Sequence, residues 1–158
     1  MSNATRATQA LTNAGVPFTT VSYPYDPSAD RIGLQAAEAI GEAPRRVLKT
    51  LMAEVDGKRV CVVVPSDCEV SMKKLAAAFG GKAAGMMKPA DAERATGYHV
   101  GGISPFGQKK QVPTAIELTA MAEPHVYING GQRGLQLRLA PQDAQTVLKA
   151  MLAALIAD

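Results

Sequence analysis

The chain has 158 residues, 47% hydrophobic and 20% charged, a composition that fits one globular domain spanning residues 1–158 and excludes a disordered or low-complexity chain. Lys and Arg number 17 against 14 Asp and Glu, and the resulting charge of +3 permits a nucleic-acid partner without demanding one; 4% aromatic content without tryptophan argues against a base-stacking single-strand binder, and no DNA partner is expected. No leader-like segment opens the sequence and no apolar run approaches the roughly 18 residues a membrane span needs, so a cytoplasmic protein without a membrane partner is expected.

In chain order, a first helix is expected over 5–14, ended by Gly15 and Pro17, followed by a strand over 18–23. Pro24, Asp26 and Pro27 mark a loop before a second helix, 34–40, closed by Gly41, and Pro44 can open a further helical turn. LKTLMAEV and RVCVVVP then flank Asp56-Gly57, the signature of a type I′ hairpin. Ser71 is a suitable N-cap for MKKLAAAF, closed by Gly80-Gly81; a short strand over 82–86 and a helix over 89–95 follow. Further β-like segments cover 98–103, 114–118, 125–129 and 135–139, the last reading LQLRL with the period of a half-buried strand. A final helix is expected from Pro141 to about Ile156, with Val147, Leu148, Met151, Leu152 and Leu155 on its apolar face. The pattern describes an α/β fold with a mixed sheet that can curl into a barrel.

Few side chains carry obvious chemistry. Cys61 lies inside VCVVV as a core thiol and Cys68 in a loop, so no disulfide is expected; with His99 and His125 they share no metal-ligand spacing, and neither metal nor other cofactor is expected. The pairs Gly101-Gly102 and Gly130-Gly131 border expected strands, where glycine marks bulges and turns or else admits a ligand against the backbone. No GxxxxGK[ST] or GxGxxG occurs, and no histidine or acid can be paired with Ser104 by spacing to make a triad. Lys49 either points outward from its strand or reaches into a cavity. Arg45, Arg46, Lys109, Lys110 and Arg133 form either a phosphate-contacting rim or a solvated face.

Four segments taken together resemble one known family: YPYDP at Tyr23–Pro27, VLKTL at Val47–Leu51, TGYHVGGISPFGQKK at Thr96–Lys110 and VYINGGQRGLQL at Val126–Leu137. They are similar, in order and approximate spacing, to the YbaK-type aminoacyl-tRNA deacylases, free-standing relatives of the editing domain inserted in bacterial prolyl-tRNA synthetases. The resemblance implies a single domain with a mixed, barrel-like sheet surrounded by helices. It also implies a trans-editing deacylase of mischarged tRNA, with Cys-tRNA(Pro) as the expected substrate and prolyl-tRNA synthetase as a possible partner. Lys49 falls on the family's essential lysine and Tyr23 on its pocket tyrosine. Gly101, Gly102, Ile103, Ser104 and Pro105 fall on the loop holding the aminoacyl end, and Asn129, Gly130 and Gly131 on a second loop, with Gln136 beyond it. Backbone N–H groups around Gly101 and Gly102 are the expected oxyanion donors, and Arg45, Arg46, Lys109, Lys110 and Arg133 the expected tRNA contacts. Gln136 stands where relatives carry Asp, Asn129 where they carry Ser, and Tyr25 where they carry His. These departures leave open removal of alanine or another small amino acid. A non-catalytic module binding tRNA or the synthetase is the alternative from another class.

Overall fold

Local signals set most element ends in the computed structural model, which describes residues 4–28 and 32–158, with the backbone alone described at 32 and 33. Thr5 caps α1 (Arg6–Asn13) in a reciprocal box with Thr8, and Ser71 caps α3 (Met72–Ala78) by accepting from the Lys74 N–H. Between them lie β1 (Thr19–Ser22), α2 (Ile32–Ile40), a 3-10 turn at Pro44–Arg46, and the hairpin of β2 (Val47–Val55) and β3 (Lys58–Pro65). Asp56 at φ 49° and Gly57 at φ 80° make the expected two-residue turn with both central φ angles positive. β4 (Ala84–Met86) and α4 (Pro89–Thr96) follow, then β5 (Thr114–Glu117), a 3-10 segment at Leu118–Ala122, β6 (Val126–Asn129) and β7 (Leu135–Leu139).

Two expectations fail, both for tertiary reasons. The segment 98–103 is not a strand: the Gly102 N–H donates back to the His99 carbonyl (2.8 Å), and Gly101 has φ +90°, which no extended ladder accommodates. The segment loops out, held at its base by the Tyr98 hydroxyl, which donates to the Phe106 carbonyl at 2.6 Å. Burial pushes this phenol up to about 12, so it remains a donor. The final helix, α5 (Pro141–Leu148), stops eight residues early at Lys149, which takes a left-handed conformation (φ 51°). A last strand, β8 (Met151–Ala153), then pairs parallel to β5. The apolar run around Met151 satisfies either period, and the open edge of β5 decides between them. Met151 and Leu152, expected on a buried helix face, are exposed instead.

The strands form one mixed sheet in the order β1-β7-β6-β2-β3-β5-β8, with β4 attached to β2. Among the described residues β1 and β8 remain its two ends, with no pairing between them. β3 is buried on both faces: Cys61 and Val63 join the cluster under α1, α4 and α5, while Val60, Val62 and Val64 pack with Leu75 and Leu155. Cys61 and Cys68 are unbridged, and burial pushes the Cys61 thiol up to about 12, as expected of a core cysteine. α2 seals the remaining side, Ala36 and Ala37 packing on Tyr23, Val47 and Tyr127.

β2 has three partners. β3 follows its whole length on one edge; on the other edge β6 pairs only with Val47 and Leu48, and β4 only with Ala53 to Val55. Between them the edge at residues 49–52 carries no strand, leaving a split in the sheet.

The far end of the sheet depends on Glu117, which is fully buried. Its carboxylate accepts from the N–H groups of Leu155 (2.7 Å), Thr119 (3.0 Å) and Ile156 (3.3 Å), tying the segment after β8 to β5. Burial raises its pKa, but these hydrogen bonds outweigh burial and hold it below the usual carboxylate range. Its contribution is therefore present above the unfolded carboxyl pKa and lost as pH falls through the depressed folded value. Glu117→Ala should cost about 2–4 kcal/mol in denaturant unfolding at neutral pH. The deficit should narrow on acidification; a constant deficit from neutral to acid pH would contradict the assigned ionisation.

Candidate active site

The split in β2 opens a cavity of about 270 Å³. Leu48, Lys49, Thr50, Leu51 and Met52 form its floor; Met86, Met87, Pro89 and Ala92 come from β4 and α4, and Ala36 from α2. Val100, Gly101 and Ile103 close it from the 97–113 loop, Asn129 from β6, Gln136 from β7, and Tyr23 from the end of β1. Six residues expected at the site (Tyr23, Lys49, Gly101, Ile103, Asn129 and Gln136) thus converge from five parts of the chain.

The wall is largely apolar with a few placed polar groups, the usual make-up of a small-molecule site. Lys49 is its one charged side chain among the described residues and is half-buried. Its charge reaches Cys68, whose thiol is raised by burial and by Asp67 and lowered by Lys49. Burial pushes the Tyr23 phenol up, and a side-chain hydrogen bond with Gln136 partly offsets this. Gln136, on the polar position of the LQLRL alternation, is 4% exposed, because β7 faces the cavity wall there. Two buried oxygens of the lining, Thr50 Oγ1 and Gln136 Oε1, have no hydrogen-bond partner. Such acceptors cost stability unless a ligand donates to them.

The two glycine loops lie against each other. The Gly102 N–H, expected as an oxyanion donor, donates to the His99 carbonyl in this structure. A Cβ on Gly102 would lie 2.8 Å from the Arg133 nitrogen; this glycine lets the first loop lie directly on the second. Asn129 ties the two together, its Nδ2 donating to the Gly101 carbonyl (3.2 Å) and its Oδ1 accepting from the Gly131 N–H (2.7 Å). The Gly130 carbonyl accepts from Thr5 Oγ1 at 2.5 Å. Ser104 and Pro105 are buried behind the wall: Ser104 Oγ accepts from the Phe106 N–H (3.2 Å) and its carbonyl from Gln108 Nε2 (3.0 Å).

The expected tRNA contacts divide. Arg45 (3.3 Å) and Arg46 (2.8 Å) both pair with Glu123, and Arg46 holds that carboxyl below its usual range. Arg133 donates to the Val100 carbonyl (2.9 Å) and lies over the Tyr25 ring at 5.4 Å. Lys109 and Lys110 are exposed on the 97–113 loop. Sequence reasoning missed Thr50, Met52, Met86, Met87 and Val100; only Thr50, next to Lys49 in VLKTL, and Val100, within TGYHVGGISPFGQKK, carried any signal.

The profile of the family described as "Aminoacyl-tRNA editing domain" matches residues 26–147. The chain belongs to this family. Relatives of the editing domain include the Enterococcus faecalis protein named "Putative Cys-tRNA(Pro)/Cys-tRNA(Cys) deacylase EbsC", 37% identical over 149 residues, which cover 88% of this chain and 89% of that one. "Uncharacterized protein YwhH" of Bacillus subtilis is 30% identical over 110 residues, 69% of each chain. Among solved structures, one described as "a putative trans-editing enzyme for prolyl tRNA synthetase" superimposes with a TM-score of 0.87 at 22% identity, covering 100% of this chain and 99% of the other. Hypothetical protein APE2540 gives 0.86 at 18% identity, with 97% and 100% covered. At these identities the structures show that the editing-domain fold is shared.

Proposed function

We propose that this protein is a trans-editing deacylase that cleaves the ester joining a wrong amino acid to the 3′ end of tRNA, acting in the cytoplasm on Cys-tRNA(Pro). One observation carries the reading: a cavity in the split of β2 with Lys49 in its wall and two unpartnered buried acceptors, Thr50 Oγ1 and Gln136 Oε1, beside it. An aminoacyl ester matches that inventory, its α-amino group offering N–H donors to the acceptors and its carbonyl developing negative charge toward Lys49. Family membership and the name of the Enterococcus faecalis relative support the chemistry.

The ester is already activated, so positioning and one charge supply much of the acceleration, and no lining residue need be a nucleophile. With cysteine as the amino acid, the substrate's own sulfur attacks the carbonyl carbon. The carbon–oxygen ester bond breaks, the thiol proton passes to the departing 3′ oxygen, and a thiolactone and uncharged tRNA result. The exposed Lys109 and Lys110 are suited to tRNA phosphates, and prolyl-tRNA synthetase is the partner that would deliver the mischarged tRNA. A second reading, removal of alanine or another small amino acid, is favoured by the neutral polar lining at Asn129 and Gln136. A panel of tRNA(Pro) charged with Cys, Ala, Ser or Pro separates these. Cysteine should be released fastest; faster release of alanine moves the protein to the second reading, and release of none sinks both.

A further inference from the structure

Large apolar side chains left in solvent are few among the described residues, and two of them, Met86 (49% exposed) and Val100 (41%), line the same cavity from different elements. Neither hangs loosely. Met86 is in register with Ala53 across β4 and β2, and the Met87 N–H beside it donates to the Met52 carbonyl at 3.0 Å. The Val100 N–H donates to Glu93 Oε2 (2.8 Å), and its carbonyl accepts from Arg133 Nε (2.9 Å). Apolar side chains fixed through their backbone but uncovered at a cavity mouth add little to folding and offer surface to a ligand. The exposed Lys88 stands between Met87 and Pro89, both in the same wall.

We infer that Met86 and Val100 grip the faces of the 3′-terminal nucleobase of tRNA, with Lys88 meeting the adjoining phosphate. The inference rests on the deacylase reading: if the ester carbonyl lies at Lys49, covalent connectivity puts the ribose at the mouth and the base just outside it. A base has flat apolar faces for a valine and a thioether to cover, and sulfur packs well on aromatic rings. A docked protein would need far more apolar surface than two side chains.

The test compares wild-type protein with the Met86→Ala/Val100→Ala double variant on aminoacyl-tRNA and on the same amino acid as a simple alkyl ester. The variant should raise KM for aminoacyl-tRNA about 10-fold, with kcat within about two-fold, and raise KM for the alkyl ester several-fold less than that. Lys88→Ala should raise KM for aminoacyl-tRNA alone, most clearly at low salt. An unchanged KM on tRNA overturns the inference, as does an equal loss on both esters, which would place the pair around the amino acid. A defect seen only when a second protein is added overturns it in favour of protein docking. Wild-type protein that cleaves neither ester defeats the deacylase reading itself, and binding of uncharged tRNA then decides the base contact. Removing the terminal nucleotide should weaken wild-type binding about 10-fold and leave the double variant unaffected; equal binding of both tRNAs by wild type overturns it.

Discussion

Lys49→Ala should lower the single-turnover rate of aminoacyl-tRNA deacylation by about 10²- to 10³-fold, the range seen when one preorganised oxyanion donor is removed. Lys49 sits in the strand-free stretch of β2, paired on its other side with Val64, so its backbone is fixed by β3 while its side chain belongs to the cavity. The surrounding wall is built mainly of Leu, Val, Met and Ile, which screens charge less than water does. A cation there acts on a developing oxyanion with little reorganisation. Its loss should leave folding intact, within about 1 kcal/mol by denaturant unfolding, because the strand ladder does not use the side chain. Lys49→Arg should retain only part of the rate, since it keeps the charge while replacing a compact ammonium with a planar fork. Deacylation by Lys49→Ala at the wild-type rate would remove Lys49 from the chemistry.

The parts of this fold that were legible in the sequence are those decided within a few residues. Thr5, Ser71, Pro89 and the Asp56-Gly57 turn each act on their own neighbours, and each element begins or turns where these residues stand. The helix expected through Ile156 and the strand expected over 98–103 failed because distant groups decide them. Those groups are the open edge of β5, the carboxylate of Glu117, and the second glycine loop lying on the first. The site divides in the same way. Lys49, Tyr23, Asn129 and Gln136 could be named from motifs, but the cavity that unites them exists because β6 and β4 share one edge of β2 and leave a gap. No local pattern encodes a gap between two strands that are themselves far apart in the chain. For the same reason Gly102 was legible as a loop glycine, but its close approach to Gln132 and Arg133, far along the chain, was not.

That close approach at Gly102 makes the second large effect specific. In Gly102→Ala the new methyl would lie 2.8 Å from the Arg133 nitrogen and 3.0 Å from the Gln132 carbonyl carbon, both backbone atoms that cannot swing aside. The two loops must part, and the Asn129 bond to the Gly101 carbonyl and the Arg133 bond to the Val100 carbonyl both span the parting. A displacement approaching 1 Å at a positioned site costs about 10²-fold in rate, and overpacking about 1–3 kcal/mol in stability. Both losses should appear together in Gly102→Ala, in kcat and in thermal unfolding. Gly101→Ala differs in kind, since φ +90° strains any side chain there and the new methyl meets the Tyr25 side chain rather than backbone, its hydroxyl at 2.5 Å and a ring carbon at 3.1 Å. Gly85→Ala supplies the control: its Cβ would meet nothing within 4 Å, so rate and stability should stay near wild type. If Gly102→Ala behaves like Gly85→Ala, the loops are not held by close approach. If Gly102→Ala loses rate with stability unchanged, the close approach of the two loops serves the geometry of the site without contributing to folding.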